Sequence, residues 1–226
     1  MSFNVKKQCI VLLSGGLDSS TVLNIALENY DVTALIFDYG QRHKFEISAA
    51  KIIAKTAGVP IKLITIDLGQ FGNSALTDNI EVPKNQEIGK KIPITYVPVR
   101  NTIFLSYALA FAEVNNIFDI FIGVNALDYS GYPDCRPEFI EAFQKMANEG
   151  TKFAQGNEKI KIHTPLISLT KAEIILTGKK LNVDYKLTHS CYDPSIDGLS
   201  CGECDACILR KEGFASAGIN DPTTYI

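Results

Sequence analysis

Short runs of apolar residues alternate along this chain with segments of helical periodicity. The apolar runs predict five β-strands, at 9–13, 32–37, 61–66, 118–124 and 160–163. Between them, apolar positions spaced for one face of a helix predict helices near 18–29, 43–57, 101–117 and 136–149. Unbroken apolar runs such as 61–66 are typical of parallel strands that are covered on both faces. The alternation therefore predicts a doubly wound α/β fold with a parallel sheet.

Two stretches depart from this alternation. Residues 69–95 have little periodicity and several glycines and prolines, so we interpret them as a long, mobile excursion from the sheet or a lid. Thr170 and Glu173 are spaced as a capping box, which predicts a helix from there to about Lys180. We divide the chain into an α/β domain at 1–187 and a C-terminal segment at 188–226, which together form one structural unit.

The link between the first strand and the first helix has the sequence Ser14-Gly15-Gly16-Leu17-Asp18-Ser19-Ser20. Glycines between a strand and a helix start let backbone N–H groups face an anion, and the helix N-terminus adds partial positive charge. A Walker A loop would end in Gly-Lys-Ser or Gly-Lys-Thr, and this loop has no lysine. The pattern therefore predicts a phosphate site of a different kind.

This loop resembles the PP-loop of the ATP pyrophosphatases, whose fold is that of the adenine nucleotide alpha hydrolases. Members of that family cleave ATP between the α- and β-phosphates. The resemblance implies that Gly15 and Gly16 hold the pyrophosphate end and that Asp18 lies near Mg²⁺ or the nucleotide. The residues implied to bind ATP are Leu13, Ser14, Gly15, Gly16, Leu17, Asp18, Ser19 and Ser20.

Four of the six cysteines lie close together near the C-terminus, at Cys191, Cys201, Cys204 and Cys207. Four thiolates satisfy a tetrahedral Zn²⁺ with no open position, so the spacing favours a structural zinc site. An iron–sulfur cluster is the main alternative, because the same ligands hold one. Cys9 falls in a predicted strand and is interpreted as a core residue.

Three further segments carry candidate catalytic side chains. His43 follows the second strand and opens a helix, where it can contact an anion or act as an acid or base. Arg100 precedes the long third helix and can bind a phosphate or carboxylate through two hydrogen bonds. Lys171 lies in a first helical turn, where the helix dipole disfavours a cation, so its position favours a phosphate partner.

Residues 123–137 are rich in polar and aromatic side chains. Tyr129 and Tyr132 are candidates for stacking on a flat heterocycle. Asp128 or Asp134 can accept hydrogen bonds from a guanine-like N–H edge, and Arg136 can hold a carboxylate. This segment is therefore the candidate substrate site.

Composition narrows the class of protein. The 226 residues carry a formal net charge of −3, which argues against a broadly basic nucleic-acid surface. No apolar run approaches the roughly 18 residues of a membrane helix, and the first residues lack a signal peptide's apolar stretch. We therefore expect a cytoplasmic protein with no membrane partner and no need for nucleic acid.

Taken together, the motifs at 14–19, 37–43, 97–101, 123–137 and 170–174 and the cysteine tail resemble the 7-cyano-7-deazaguanine synthase (QueC) family of queuosine biosynthesis. The resemblance implies a carbon–nitrogen ligase that converts 7-carboxy-7-deazaguanine, ammonia and ATP to 7-cyano-7-deazaguanine (preQ0) through adenylated carboxylate and amide intermediates. It also implies Mg²⁺ with ATP, one structural Zn²⁺ per chain and a homodimer. The implied site residues are Asp18, Arg100, Lys171 and His43 for catalysis and Tyr132, Asp134 and Arg136 for the substrate.

Two alternatives remain at this stage. The first is another PP-loop ligase or a tRNA-modifying enzyme, for which Cys135 is the best-placed spare cysteine. The second is a zinc-dependent regulatory protein that binds its partner through the cysteine tail. Release of AMP and pyrophosphate from ATP would separate an enzyme of the first kind from a binding protein.

Overall fold

The computed structural model describes residues 6–86, 91–127 and 131–226. Strands β1 to β5 span Lys7–Leu12, Tyr30–Asp38, Ile61–Thr65, Asp119–Phe121 and Lys161–His163. Helices α1 to α6 span Leu17–Asn29, Phe45–Thr56, Arg100–Asn115, Pro137–Glu149, Lys171–Lys180 and Asp205–Ala217. The strands pair in parallel in the order β3-β2-β1-β4-β5. The predicted doubly wound α/β fold is confirmed.

The sheet is covered by helices on both faces. Along β1, Ile10 and Leu12 pack towards α3 and α4, whereas Cys9 and Val11 pack towards α1, α2 and α5. This alternation follows from the two-residue period of a strand. All of these side chains are buried, so the unbroken apolar run of β1 reflects cover on both faces, as predicted. Cys9 is a core residue, as predicted.

The centre of the sheet creates a crevice. β1 pairs with β2 on one side and with β4 on the other. The chain therefore adds β2 and β3 on one side of β1 and then β4 and β5 on the other side. In open α/β sheets, ligands bind at such a reversal, beyond the carboxyl ends of the strands. Here that position lies above the ends of β1 and β4, where the PP-loop begins.

The prediction for β3 was right in position and wrong in environment. The strand is present, but it forms an edge of the sheet, and Ile61 and Leu63 are 44% and 39% exposed. Ile64 packs against the core on the opposite face. The apolar run therefore does not indicate cover on both faces here, because the helix cover does not extend over the outer side of the edge strand.

Two segments differ from the sequence-based interpretation. The described part of the 69–95 excursion is docked on the protein, with Ser74, Ala75 and Val82 buried, rather than standing off as a lid. Helix α6 was not predicted, because its first turn is occupied by the last cysteines of the cluster. It ends at Gly218, whose φ of 67° suits a helix C-terminus. In the described parts of the chain, no helix has both the length and the apolar character to cross a membrane.

Candidate active site and metal centre

The PP-loop is held in shape by its own hydroxyl groups. Gly15 has a φ of 88°, and Gly16 is the N-cap of α1. The Ser20 hydroxyl donates to the Gly16 carbonyl at 2.7 Å, and the hydroxyls of Ser14 and Ser19 lie 3.0 Å apart. The N-terminus of α1 therefore opens towards the crevice with backbone N–H groups available to an anion.

Asp18 and Lys171 form an ion pair beside this loop. The Lys171 Nζ donates to both carboxylate oxygens of Asp18, at 2.8 and 2.9 Å. The lysine is buried at the start of α5, whose N-cap Thr170 forms the predicted capping box with Glu173. The capping box is confirmed, and the cation that the helix dipole disfavours is stabilised here by a carboxylate from the PP-loop.

Arg100 approaches the same crevice from the start of α3. Its guanidinium lies 5.8 Å from the centroid of the Tyr39 ring, and its Nη1 lies 3.5 Å from the Tyr39 hydroxyl. The preceding residue, Val99, has a φ of 52°, which is a strained conformation for a β-branched residue. The backbone conformation of Val99 at the entry to α3 therefore sets the direction in which the Arg100 side chain projects from the first turn.

These groups line one cavity of about 210 Å³. Its walls come from the carboxyl ends of β1, β2 and β4 and from the first turns of α1, α2, α3 and α5. Of the predicted ATP residues, the lining includes Leu13, Ser14, Gly16, Leu17, Asp18 and Ser19. Gly15 and Ser20 shape the loop from behind. The cavity therefore joins a candidate anion site to three cations, Arg100, Lys171 and Arg210, and to the two carboxylates of Asp18 and Glu46.

The four cysteines converge as their spacing predicted. All four are buried, and their Sγ atoms lie within 4.8 Å of one another. A tetrahedral ion with Zn–S bonds of 2.3 Å would place its sulfur ligands about 3.8 Å apart, and Cys201 and Cys207 are at 4.0 Å. The donor set and the spacing therefore fit a metal ion such as Zn²⁺.

Backbone N–H groups point at the sulfurs, as a site of four thiolates requires. Cys201 donates to Cys191 at 3.2 Å, and Cys204 donates to Cys201 at 3.3 Å. Gly202, with a φ of 75°, allows the turn between these two cysteines. Hydrogen bonds of this kind offset the excess negative charge that four thiolates place on one cation.

Comparison with known proteins decides the family. The family model described as "Queuosine biosynthesis protein QueC" matches residues 8–218. The chain belongs to the QueC family. A relative from Desulfatibacillum aliphaticivorans is 61% identical over 98% of this chain and 97% of its own length. One from Syntrophus aciditrophicus is 60% identical over 96% of each chain, and both are named 7-cyano-7-deazaguanine synthase.

A solved structure supports the fold independently. The NMN synthetase from Francisella tularensis superposes with a TM-score of 0.51 and 20% identity, over 97% of this chain and 80% of its own. At that level of identity the likeness concerns the fold alone. The QueC sequence is therefore built on an architecture that other proteins share.

Of the predicted substrate residues that the structure describes, Tyr132 is at the cavity, whereas Asp134 and Arg136 are not in its lining. Tyr132 lines the cavity, and its hydroxyl lies 3.0 Å from that of Thr95. Asp134 is buried outside the described lining, where its carboxylate accepts the Asn101 backbone N–H at 3.0 Å and holds the start of α3. Arg136 is exposed as the N-cap of α4. Asp128 and Tyr129 lie outside the described residues.

His43 is also displaced from the cavity. Its ring lies 5.7 Å from that of His189, which does line the cavity, and its Nδ1 has no hydrogen-bond partner among the described residues. Burial lowers the pKa of His43 below its ordinary value. Of the four residues predicted to be catalytic, the cavity brings together Asp18, Lys171 and Arg100.

Several lining residues were not among the predicted site residues, and they include Glu46, Asn125, His189 and Tyr192. Glu46 lies in the first turn of α2, and Asn125 follows β4 and donates to the carbonyls of Leu166 and Leu169. The position of Asn125 directly after a predicted strand indicated that it lies at the carboxyl end of the sheet, whereas its hydrogen bonds to the Leu166 and Leu169 carbonyls were not predicted. The signal for Glu46 was its place, eight residues beyond the end of a parallel strand, in a helix that starts beside the PP-loop.

Proposed function

We propose that this protein makes 7-cyano-7-deazaguanine from 7-carboxy-7-deazaguanine, ammonia and ATP, and so acts as a carbon–nitrogen ligase in queuosine biosynthesis. The observation that carries the proposal is the meeting of the PP-loop, Asp18, Lys171 and Arg100 in one cavity, in a chain of the QueC family whose close relatives carry that name.

The reaction has two adenylations. In the first, a substrate carboxylate oxygen attacks the α-phosphorus of ATP, and pyrophosphate leaves. Ammonia then attacks the acyl carbon, AMP leaves, and one proton is released with the amide. In the second, the amide oxygen attacks the α-phosphorus of another ATP, pyrophosphate leaves, and the nitrogen loses a proton. The C–O bond then breaks, AMP leaves, and loss of the last N–H proton gives the nitrile.

The residues divide this work by position. The N-terminus of α1 and the loop hydroxyls bind the triphosphate, and Lys171 and Arg100 stabilise negative charge on the departing pyrophosphate and at the α-phosphorus. Asp18 offers carboxylate oxygens of the kind that Mg²⁺ prefers, and Mg²⁺ bound with ATP neutralises the phosphates. Tyr132 contacts the heterocycle. The same cavity serves both adenylations, because both need an oxygen placed at the α-phosphorus.

The cysteine cluster holds the structural metal, which we assign as one Zn²⁺ per chain. The four thiolates leave no open ligand position, so the ion stabilises the C-terminal segment rather than reacting. That segment includes His189 and Tyr192, which line the cavity. A cytoplasmic location and a homodimer complete the proposal as predictions.

Mass spectrometry of the products tests the function. The zinc-loaded protein is incubated with 7-carboxy-7-deazaguanine, ammonium and Mg-ATP. We expect the nitrile, with two AMP and two pyrophosphate released for each nitrile formed. AMP without nitrile would identify a different acceptor, and no AMP at all would overturn the assignment. The metal is measured on the same sample, since absorbance in the visible range would indicate an iron–sulfur cluster instead of zinc.

A further inference from the structure

Glu46 is an ionisable group in the cavity to which the reaction above gives no task. It lies in the first turn of α2 and lines the cavity on the β2 side. Its Oε1 accepts a hydrogen bond from Gln41 Nε2 at 2.9 Å. The Gln41 side chain is itself fixed, because its Oε1 accepts the Tyr39 backbone N–H at 2.8 Å. The carboxyl group is therefore held in one orientation.

The surroundings of Glu46 combine burial with one nearby cation. Burial raises the pKa of Glu46 above its ordinary value, and the positive charge of Arg100 acts in the opposite direction. A carboxylate taken out of water needs hydrogen-bond donors. Gln41 and the hydroxyl of Tyr39 each supply one, and because a carboxylate accepts about four hydrogen bonds, capacity remains for a ligand in the cavity.

Tyr39 joins Glu46 to an aromatic wall of the cavity, because its hydroxyl hydrogen-bonds Glu46 and its ring centroid lies 5.5 Å from that of Phe104. The rings of Phe37 and Phe104 stack with centroids 4.1 Å apart and an interplanar angle of 10°, and both residues line the cavity. An apolar wall with one polar group at its edge is the usual complement of a planar heterocycle. Two heterocycles enter this site, the adenine of ATP and the deazaguanine of the acceptor.

We propose that Glu46 determines specificity by accepting hydrogen bonds from the N–H edge of the deazaguanine ring, namely the ring N1–H and the 2-amino group. This inference rests on the proposed function. A carboxylate is an acceptor at both oxygens, and it matches an edge that offers two adjacent donors. Adenine offers an amino donor beside a ring nitrogen acceptor, which a carboxylate cannot satisfy.

Glu46 fits the role of acceptor for the N–H edge better than Asp134, for which the motif at 123–137 predicted that role. The carboxylate of Asp134 accepts a backbone N–H at the start of α3 and lies outside the described lining, whereas that of Glu46 lines the cavity. Among the carboxylates of the described lining, Asp18 is paired with Lys171 beside the phosphate loop. Glu46 is the one that lies beside the aromatic wall.

The substitution Glu46→Gln tests the proposal with little change of shape. Gln41 would keep the new carbonyl oxygen on its side, and the amide NH₂ would then face the ring donors. We expect the Kd of 7-carboxy-7-deazaguanine, measured by calorimetry with a non-hydrolysable ATP analogue present, to rise about 10- to 100-fold, the discrimination of a two-bond contact to a base edge. The Kd of the ATP analogue should stay within about twofold.

An analogue of the acid without the 2-amino group gives a second readout, which a merely structural role would not move. The wild-type protein should bind this analogue more weakly than the acid, and Glu46→Gln should lose most of that preference. The matched control is Glu28→Gln. Glu28 is an exposed glutamate in the last turn of α1, at the end of that helix away from the PP-loop. This variant should bind the acid and its analogue like the wild type.

Three outcomes would overturn the inference. In the first, Glu46→Gln leaves the Kd of the acid unchanged. In the second, Glu46→Gln raises the Kd of the ATP analogue instead, which would show that Glu46 binds adenine. In the third, wild-type protein binds the ATP analogue but not the acid, and the proposed function itself fails. If Glu46→Gln does not fold, Glu46→Asp serves as the second variant, because it keeps the carboxylate. It should still bind the acid more tightly than the analogue without the 2-amino group. Equal Kd values for the acid and this analogue would then refute the proposal.

Discussion

Gly15 keeps the PP-loop in close contact with helix α2, and its replacement by alanine measures how much that contact contributes to stability. A Cβ at Gly15 would overlap the Glu46 carbonyl oxygen and lie 2.7 Å from the Ala50 nitrogen. Both are backbone atoms of α2, so no side-chain rotation relieves the overlap. The loop or the whole first turn of α2 would have to move.

Gly58 provides the matched control. It also has a left-handed φ, 68° against 88° for Gly15, but a Cβ there would meet no heavy atom within 4 Å. Gly58→Ala should therefore cost only the backbone strain, about 1–2 kcal/mol. Gly15→Ala adds the overlap with α2, about 1–3 kcal/mol on the scale of overpacked cores. We expect it to lower the free energy of unfolding by about 2–5 kcal/mol.

Urea denaturation of both variants, with metal and protein concentration fixed, gives the two free energies. ATP-dependent release of AMP is measured on the same samples. We expect Gly58→Ala to keep its activity and Gly15→Ala to lose most of it, because the loop that binds the phosphates moves. Equal destabilisation by the two substitutions would refute the reasoning, since it would show that the close approach of α2 carries no cost.

Three further predictions concern the metal centre, the candidate active site and the pair of His163 and Asp119 on the neighbouring strands β5 and β4. Cys204→Ser should lose the bound metal and melt at a lower temperature; elemental analysis and a thermal scan check this, and a metal-free variant with native melting would contradict a structural ion. Lys171→Met should lower turnover about 100-fold, as loss of one charge-stabilising donor does elsewhere; steady-state AMP release measures it, and turnover within about twofold of wild type would remove the lysine from the mechanism. Burial is the largest influence on His163 and lowers its pKa, although Asp119, 2.6 Å away, acts in the opposite direction. The unfolded chain therefore binds a proton more readily than the folded one, and stability should fall as the pH drops through about 6.5. Denaturation at several pH values should show a smaller fall in His163→Gln, and an identical pH dependence would exclude this histidine as a source.

Local patterns carried much of the site. The strand, glycine turn and helix start around Gly15 and Gly16 all lie within a few residues of one another, so the sequence alone located the loop that we propose as the phosphate site. The capping box of Thr170 and Glu173 is equally local. The cysteine spacing is short except for one interval, and all four sulfurs converge as expected.

What the sequence did not predict depends on neighbours far along the chain. Whether β3 is covered on its outer face depends on the reach of the helix cover, which the run of apolar residues does not encode. Asp134 and Glu46 are both carboxylates in plausible places. Only the position of the α3 N-terminus shows that the first is engaged by a backbone N–H group, and only the packing of α2 against the PP-loop brings the second into the cavity.

The ion pair of Asp18 and Lys171 joins residues 153 positions apart in the chain. During synthesis, the PP-loop leaves the ribosome long before either β4 or α5 exists, and domains fold as their segments become available. The nascent loop therefore lacks β4 until residue 121 of 226 has been made, and it lacks its cation until Lys171 has been made. Contacts of such high sequence separation form late in folding. The ion pair at the candidate site is therefore completed only after the start of α5 has been synthesised.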